Sequence, residues 1–428
     1  MLLLRDGCTA FLLAARFGKT ETVDLLLTKG ADVNAADKVG RTALILAIRG
    51  CHSETVDLLL TKGADVNAAD EDGDTSLLIA ADLGHTKTVD LLLTKEADVN
   101  AADKVGRTAL ILAITGGHSE TVDLLLTKGA DVNAADEDGD TSLLIAAELG
   151  HTKTVDLLLT KDADVNAADK VGRTALILAI TGGHSETVDL LLTKGADVNA
   201  ADEVGDTSLL IAAALGHTKT VDLLLTKEAD VYAADKNGRT ALLLAAERGH
   251  TDTVDLIITK GADVTAADKN GNTVLILAAR DGHTDTVDLL ITKGALVNAA
   301  DKKGNTALIL AAKRDRTETV DLLLTKGANI NAANNDGNTA FLLAAKRDRT
   351  ETVDLTKRAD INAANNNRFT YNQRSMRADI NTADKVGDTS LLIAARSGKT
   401  ETVDLLFTKG ADVYAADKNG RTALLLAA

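Results

Sequence analysis

The chain has 428 residues, with 47 Lys and Arg against 63 Asp and Glu, a formal net charge of −16, and 45% hydrophobic residues. That hydrophobic share supports a core and argues against disorder throughout, while the acidic balance argues against a general binder of phosphate backbones. The absence of Pro and Trp, with three Tyr and five Phe in all, leaves little from which to build a catalytic domain or a base-stacking platform.

Cys8 and Cys51 are too few for a disulfide framework and point to a reducing interior. The opening residues Met1-Leu2-Leu3-Leu4-Arg5-Asp6 show neither a basic region nor an apolar run of signal-peptide length. No apolar stretch approaches the roughly 18 residues that a membrane helix needs. The expectation is a soluble, intracellular, cytoplasmic chain without a membrane partner.

A Thr that opens an apolar run recurs at Thr9, Thr42, Thr75, Thr108, Thr141, Thr174, Thr207, Thr240, Thr273, Thr306 and Thr339, and the phase resumes at Thr389 and Thr422. The period is 33 residues, the signature of a tandem array. The unit Thr42–Asp74 shows how one period folds. Thr42 is expected to cap a short apolar helix over 43–48. Gly50-Cys51-His52 turns the chain, and Ser53 is expected to cap a second helix running to Lys62. Val56, Leu59 and Leu60, with Leu58 beside them, give that helix a broad apolar face, and Gly63 is placed to end it in the left-handed conformation. Residues 64–73 read as an extended leg and a tight turn. Neither helix buries its face alone, so each unit must stack on its neighbours.

The unit resembles an ankyrin repeat in its D-x-x-G-x-T opening, its L-A-A-x-x-G-H middle and its G-A-D-V-N-A close. The resemblance covers nearly the whole chain. It implies an all-α solenoid of stacked helix-turn-helix repeats, with projecting β-hairpin loops that border a concave groove. Thr-Pro-Leu-His of the family becomes Thr-Ala-Leu-Ile at Thr42–Ile45 and Thr-Ser-Leu-Leu at Thr75–Leu78. Losing that Pro removes pre-organisation of roughly 0.4–1 kcal/mol per site. The helix-ending glycine is Glu96, Asp162 or Glu228 in alternate units, which predicts weaker joints there, by about 1 kcal/mol. Alternate units also share wording, so the array carries a 66-residue super-period.

Past Leu355 the pattern breaks. Residues 1–354 read as the main array, 355–388 as degenerate repeats, and 389–428 as one full repeat with a truncated one. The polar run Asn365–Gln373 is loop-like, and the tail is expected to dock on the array or fray. Neither end shows a polar capping unit, which suggests a piece of a longer array and self-association through uncapped ends, Leu424–Ala428 among them.

Candidate chemistry is thin. His52, His85, His118, His151, His184, His217, His250 and His283 occupy one repeat position. Stacked helices lie about 8–10 Å apart, whereas zinc ligands lie about 2 Å from one ion, so these histidines read as structural and no metal is expected. Gly18-Lys19-Thr20 and Gly398-Lys399-Thr400 imitate a phosphate loop, but Leu13 and Ile393 stand where it needs its first glycine. The repeated carboxylates Asp24, Asp57 and Asp90 offer no pair in unlike environments. The reading is a non-enzyme without cofactors.

Variable positions on tips and first helices carry the binding expectation. Lys38, Lys104 and Lys170 with Arg41, Arg107 and Arg173 alternate with Glu71, Glu137 and Glu203 and their Asp74, Asp140 and Asp206. The plainer account is that neighbouring tips pair, at roughly 0.2–1 kcal/mol each; the functional account is a charge-banded groove. Residues 301–377 carry 14 Lys and Arg against 9 Asp and Glu. There Lys302, Lys303, Lys313, Arg314, Lys346 and Arg347, with Arg316 and Arg349, fall at groove and turn positions. The expected function is a scaffold that binds a protein partner with an acidic surface, nucleic acid being disfavoured. The alternative is a structural spacer, or a remnant of a larger protein, with no partner of its own.

Overall fold

The computed structural model describes residues 8–347, 349, 351–353 and 379–427. Its helices come in pairs, a short first helix and a nine-residue second one. The chain divides into two compact units, residues 1–203 and 204–428, with the boundary inside the tip Asp202-Glu203-Val204-Gly205.

In the first unit, the first helices are Ala10–Arg16, Ala43–Arg49, Ser76–Asp82, Ala109–Thr115, Ser142–Glu148 and Ala175–Thr181. Each packs on the next along the row. They are nearly all apolar because they lie between two neighbours and a second helix: Ala43, Leu44, Ile45, Leu46, Ala47 and Ile48 are all buried. Second helices such as Ser53–Thr61 form the outer layer and bury only a stripe, Thr55, Val56, Leu59 and Leu60. The second unit repeats the plan with first helices Ser208–Leu215, Ala241–Arg248, Val274–Asp281, Ala307–Lys313, Ala340–Lys346 and Ser390–Arg396, followed by Ala423–Ala427.

The Thr that marks each repeat is the cap of each first helix. Its backbone is extended and its hydroxyl accepts from the amide three residues on, as Thr42 Oγ1 does from Ile45 N at 3.3 Å. The second helix departs from expectation. Its N-cap is His52, not Ser53, and no side chain caps it. The turn explains the difference. Cys51 takes a left-handed φ of 58°, and the Cys51 and His52 amides bond back to the Ile48 and Ala47 carbonyls. The chain reverses so tightly that residue 52 must hold the cap position, and its side chain serves the neighbouring repeat instead. His52 Nε2 lies 3.0 Å from the Arg16 carbonyl, and His118, His184, His250 and His283 repeat this contact. Five of the eight histidines thus tie their turn to the preceding repeat, while His85 lies 3.3 Å from Cys51 Sγ.

The projecting hairpins are reduced to one antiparallel bridge each, such as Ala36 with Thr42 or Ala69 with Thr75. Inside each tip, the first Asp organises the turn: Asp37 Oδ1 accepts from Val39 N at 3.1 Å and Arg41 N at 2.9 Å. Successive tips join through the backbone, Glu71 N to Val39 O at 2.9 Å and Lys104 N to Asp72 O at 3.0 Å.

The break in the sequence falls mainly on residues 354–378, outside the described residues, as do the polar run Asn365–Gln373 and Ala428. From Asp379 onward the pattern is regular again, and the tail docks. Lys385 N bonds to Asp336 O at 3.0 Å, and Asp379 N to Asn331 Oδ1 at 3.0 Å. Phe341, Ala344, Ala345 and Val353 share a core with Leu391, Leu392, Ala394 and Leu406. The repeat capped by Thr389 thus stacks directly on the one capped by Thr339.

Candidate interaction surface

Tips and the C-terminal ends of first helices differ between repeats at charged positions, as at Glu71 against Lys104 and Arg49 against Asp82, and these side chains are exposed. The arginines of the first unit's tips are committed internally. Arg41, Arg107 and Arg173 bind Asp37, Asp103 and Asp169 of their own tips at 2.7, 2.7 and 2.6 Å. For these three arginines the ion pair lies within the tip and not with the neighbouring tip as expected. The four-residue spacing brings guanidinium and carboxylate together inside one turn before a neighbour can compete. Burial alone would raise the Asp37 carboxyl, but the Arg41 side chain and the tip amides outweigh it and hold it below the usual range. Lys38, Lys104 and Lys170 remain exposed at the tip ends.

A depression in the first unit is lined by Arg49, Asp74, Leu78, Asp82, Leu83 and Arg107. Arg49 Nη2 reaches Asp74 Oδ2 at 3.0 Å and Asp70 Oδ2 at 3.6 Å. Burial and then Asp70 nonetheless push the Asp74 carboxyl up, with Arg49 opposing them.

The second unit gathers most of the predicted basic residues. Lys302, Lys303, Lys313, Arg314 and Arg347 line one open depression of about 580 Å³, together with Arg280, Asp301, Asn270, Asn272 and Asn305. Arg280 binds Glu247 at 2.5 Å and Asp281 at 2.7 Å, and Arg314 binds Asp281 at 2.8 Å. Lys302, Lys303, Lys313 and Arg347 form no ion pair with a carboxylate among the described residues. Lys346 is exposed beside the depression without lining it. Arg316 takes the position of the histidines as N-cap of the helix Thr317–Thr325, and Arg349 binds Asp315 at 3.1 Å; both are turn residues.

Three ladders escaped the sequence reading. Asn34 Oδ1 accepts from Asp65 N at 2.8 Å, and Asn67, Asn100, Asn133 and Asn166 continue the series. Thr20 and Thr55 hydroxyls meet at 2.8 Å, a pairing repeated by Thr86 with Thr121 and Thr152 with Thr187. On the outer layer Lys62 binds Asp24 at 2.8 Å and Lys128 binds Asp90 at 2.9 Å. Their recurrence was the available signal, at 33 residues for the Asn ladder and at 66 for the Thr and Lys–Asp pairs of the first unit.

Neither cysteine forms a disulfide; Cys8 is buried and Cys51 exposed. Among the described residues no helix is long and apolar enough to cross a membrane. No curated protein matches the chain in sequence. A family model for ankyrin repeats, in sets of three copies, matches residues 2–70, 68–136, 133–202, 209–301, 275–365 and 361–428. Paired helices, capping threonines, bridged tips and a match along almost the entire length agree: the chain belongs to the ankyrin-repeat family.

Proposed function

We propose that the chain is a non-catalytic, cytoplasmic scaffold that binds the acidic surface of a protein partner through the tips and first helices of residues 204–428. Ankyrin repeats in general mediate contacts between proteins. The observation that carries the finer reading is the depression around Lys302, Lys303, Lys313 and Arg347, whose positive charges are met by no described carboxylate. Its neighbours Arg280 and Arg314 are already satisfied by Glu247 and Asp281, so the depression is positive in net effect. No aromatic residue lines it, which disfavours stacked bases and removes the Trp and Tyr anchors of tight interfaces. Binding would be spread over several repeats, rapid in encounter and weakened by salt.

The test is a crosslinked pull-down from native lysate at low and high salt, comparing wild type with the triple variant Lys302→Glu, Lys303→Glu, Lys313→Glu. Equal melting curves serve as the folding control. The expected result is a protein captured by wild type, released by salt and lost in the variant. Capture that survives both the substitutions and salt sinks this reading, and capture of nothing returns the spacer account.

A further inference from the structure

The residue immediately before a capping Thr is Asp at positions 74, 140, 206 and 388. At Asp74 and Asp388 the carboxylate holds an arginine of this chain. Asp74 Oδ2 accepts from Arg49 Nη2 at 3.0 Å, 25 residues upstream. Asp388 takes a two-pronged bond from Arg396, 8 residues downstream, with both contacts at 2.7 Å. At Asp140 neither route supplies a cation, because the equivalent positions hold Thr115 and Glu148. Thr115 turns its hydroxyl onto the Ile111 carbonyl at 2.9 Å, and Glu148 adds a further negative charge.

The seat around Asp140 otherwise matches the one around Asp74. Asp136 Oδ1 accepts from Asp138 N and Asp140 N at 2.9 Å each, as Asp70 Oδ1 does from Asp72 N and Asp74 N at 3.0 Å. Both tips hang from the preceding one by the same backbone bond, Glu137 N to Val105 O and Glu71 N to Val39 O, each 2.9 Å. The arginine whose charge bears on Asp140 is Arg173, which gives its Nε to Asp169 at 2.6 Å. No ion pair forms at Asp140 or Asp136 with a described residue. We infer that Asp140, with Asp136 beside it, is a receptor for the guanidinium of an arginine carried by a protein partner.

Burial, then Asp136 and Asp169, push the Asp140 carboxyl above its usual range, while Arg173 only partly opposes them. Asp74 is raised as well with Arg49 in place, so the missing ion pair is what sets Asp140 apart. Arginine fits better than lysine because its planar fork can grip a carboxylate with two nitrogens, as Arg396 does at Asp388; at the Asp74 seat Arg49 Nη2 alone lies 3.0 Å from Asp74 and 3.6 Å from Asp70. Leu83 lines the Arg49 depression, and its equivalent Leu149 is 43% exposed, an apolar surface for an arginine stem. This seat lies in the first unit and attracts the opposite charge to the depression of the second, so it stands apart from the function proposed above.

The experiment titrates N-acetyl-arginine amide into the full chain labelled with carbon-13 at the aspartate carboxyls and follows their NMR shifts. Wild type should show a saturable shift and a lowered titration midpoint at Asp140, a weaker response to N-acetyl-lysine amide, and none at Asp74, whose seat is filled. Thr115→Arg should abolish the response at Asp140 by filling its seat from within, with melting curves to check the fold. Asp140→Asn is the second variant and should remove the response at Asp136. An equal response at Asp74, an unchanged response in Thr115→Arg, or no saturable shift at Asp140 overturns the proposal.

Discussion

Among the described residues, five other than glycine take a left-handed backbone: Cys51, Glu96, Asp162, Glu228 and Asp315. That conformation costs a residue with a Cβ about 1–2 kcal/mol. Glu96 and Asp162, with φ of 65° each, stand where other repeats end the second helix with glycine. Glu96→Gly and Asp162→Gly should each stabilise by about 1 kcal/mol, read as a rise in urea midpoint. Asp315 differs, since its carboxylate holds Arg349 at 3.1 Å and Thr352 at 2.9 Å. Asp315→Gly loses those bonds as it relieves the backbone, and should move the midpoint less. Acid should act in two opposed stages. Asp74 and Asp140 have raised folded pKa values, so their burden on stability is present at neutral pH and fades as pH falls through those values. Asp37 and Asp235 are lowered by their own tip partners. Their contribution is complete above the unfolded value of about 3.9 and is lost as pH falls through the folded one. Melting temperature should therefore pass through a shallow maximum on the acid side of neutrality and then drop.

At the scale of the helix pair, the first helix was legible because its Thr cap and apolar run both lie within a few residues. The cap of the second helix was misread for the same reason. Ser53 satisfies the local rule, but the sharp turn at Cys51 gives the position to His52, whose task is to reach the carbonyl of Arg16 in the previous repeat. Contacts that span a whole repeat, such as Asn34 to Asp65, leave no local trace. The basic residues were legible as charge, but their gathering into one depression, with Lys346 left beside it, depends on which helix end meets which tip. The docking of the tail rests on such a long-range contact. Phe341 is 2% exposed and packs with Leu391 and Leu392 across the break. Phe341→Ala should cost about 3–5 kcal/mol locally. Hydrogen exchange should show the amides of Ser390–Arg396 losing protection while those of Ala43–Arg49 keep theirs, because coupling in such arrays runs between nearest neighbours.

Over the whole molecule, charge is divided unequally between the compact units. Residues 1–203 carry 18 Lys and Arg against 34 Asp and Glu, and residues 204–428 carry 29 of each. All of the net charge of −16 therefore belongs to the first unit. Repeats that look alike in their cores thus present two chemistries, one short of cations at Asp140 and one with cations to spare around Lys302. Core positions are held by packing from both sides, so changes of charge collect on the exposed side chains of tips and helix ends.

The bond from Lys385 N to Asp336 O is the same bond that Lys302 N makes to Asn270 O, at 3.0 and 2.9 Å, although far more chain separates the first pair. Place in the row is therefore counted by contact and not by chain length. A row counted in this way tolerates unequal gene duplications and excisions, since each surviving repeat needs only some neighbour of the right shape. Its lineage can lengthen, shorten or interrupt it and still inherit a foldable protein, and the tips remain free to diverge toward new ligands.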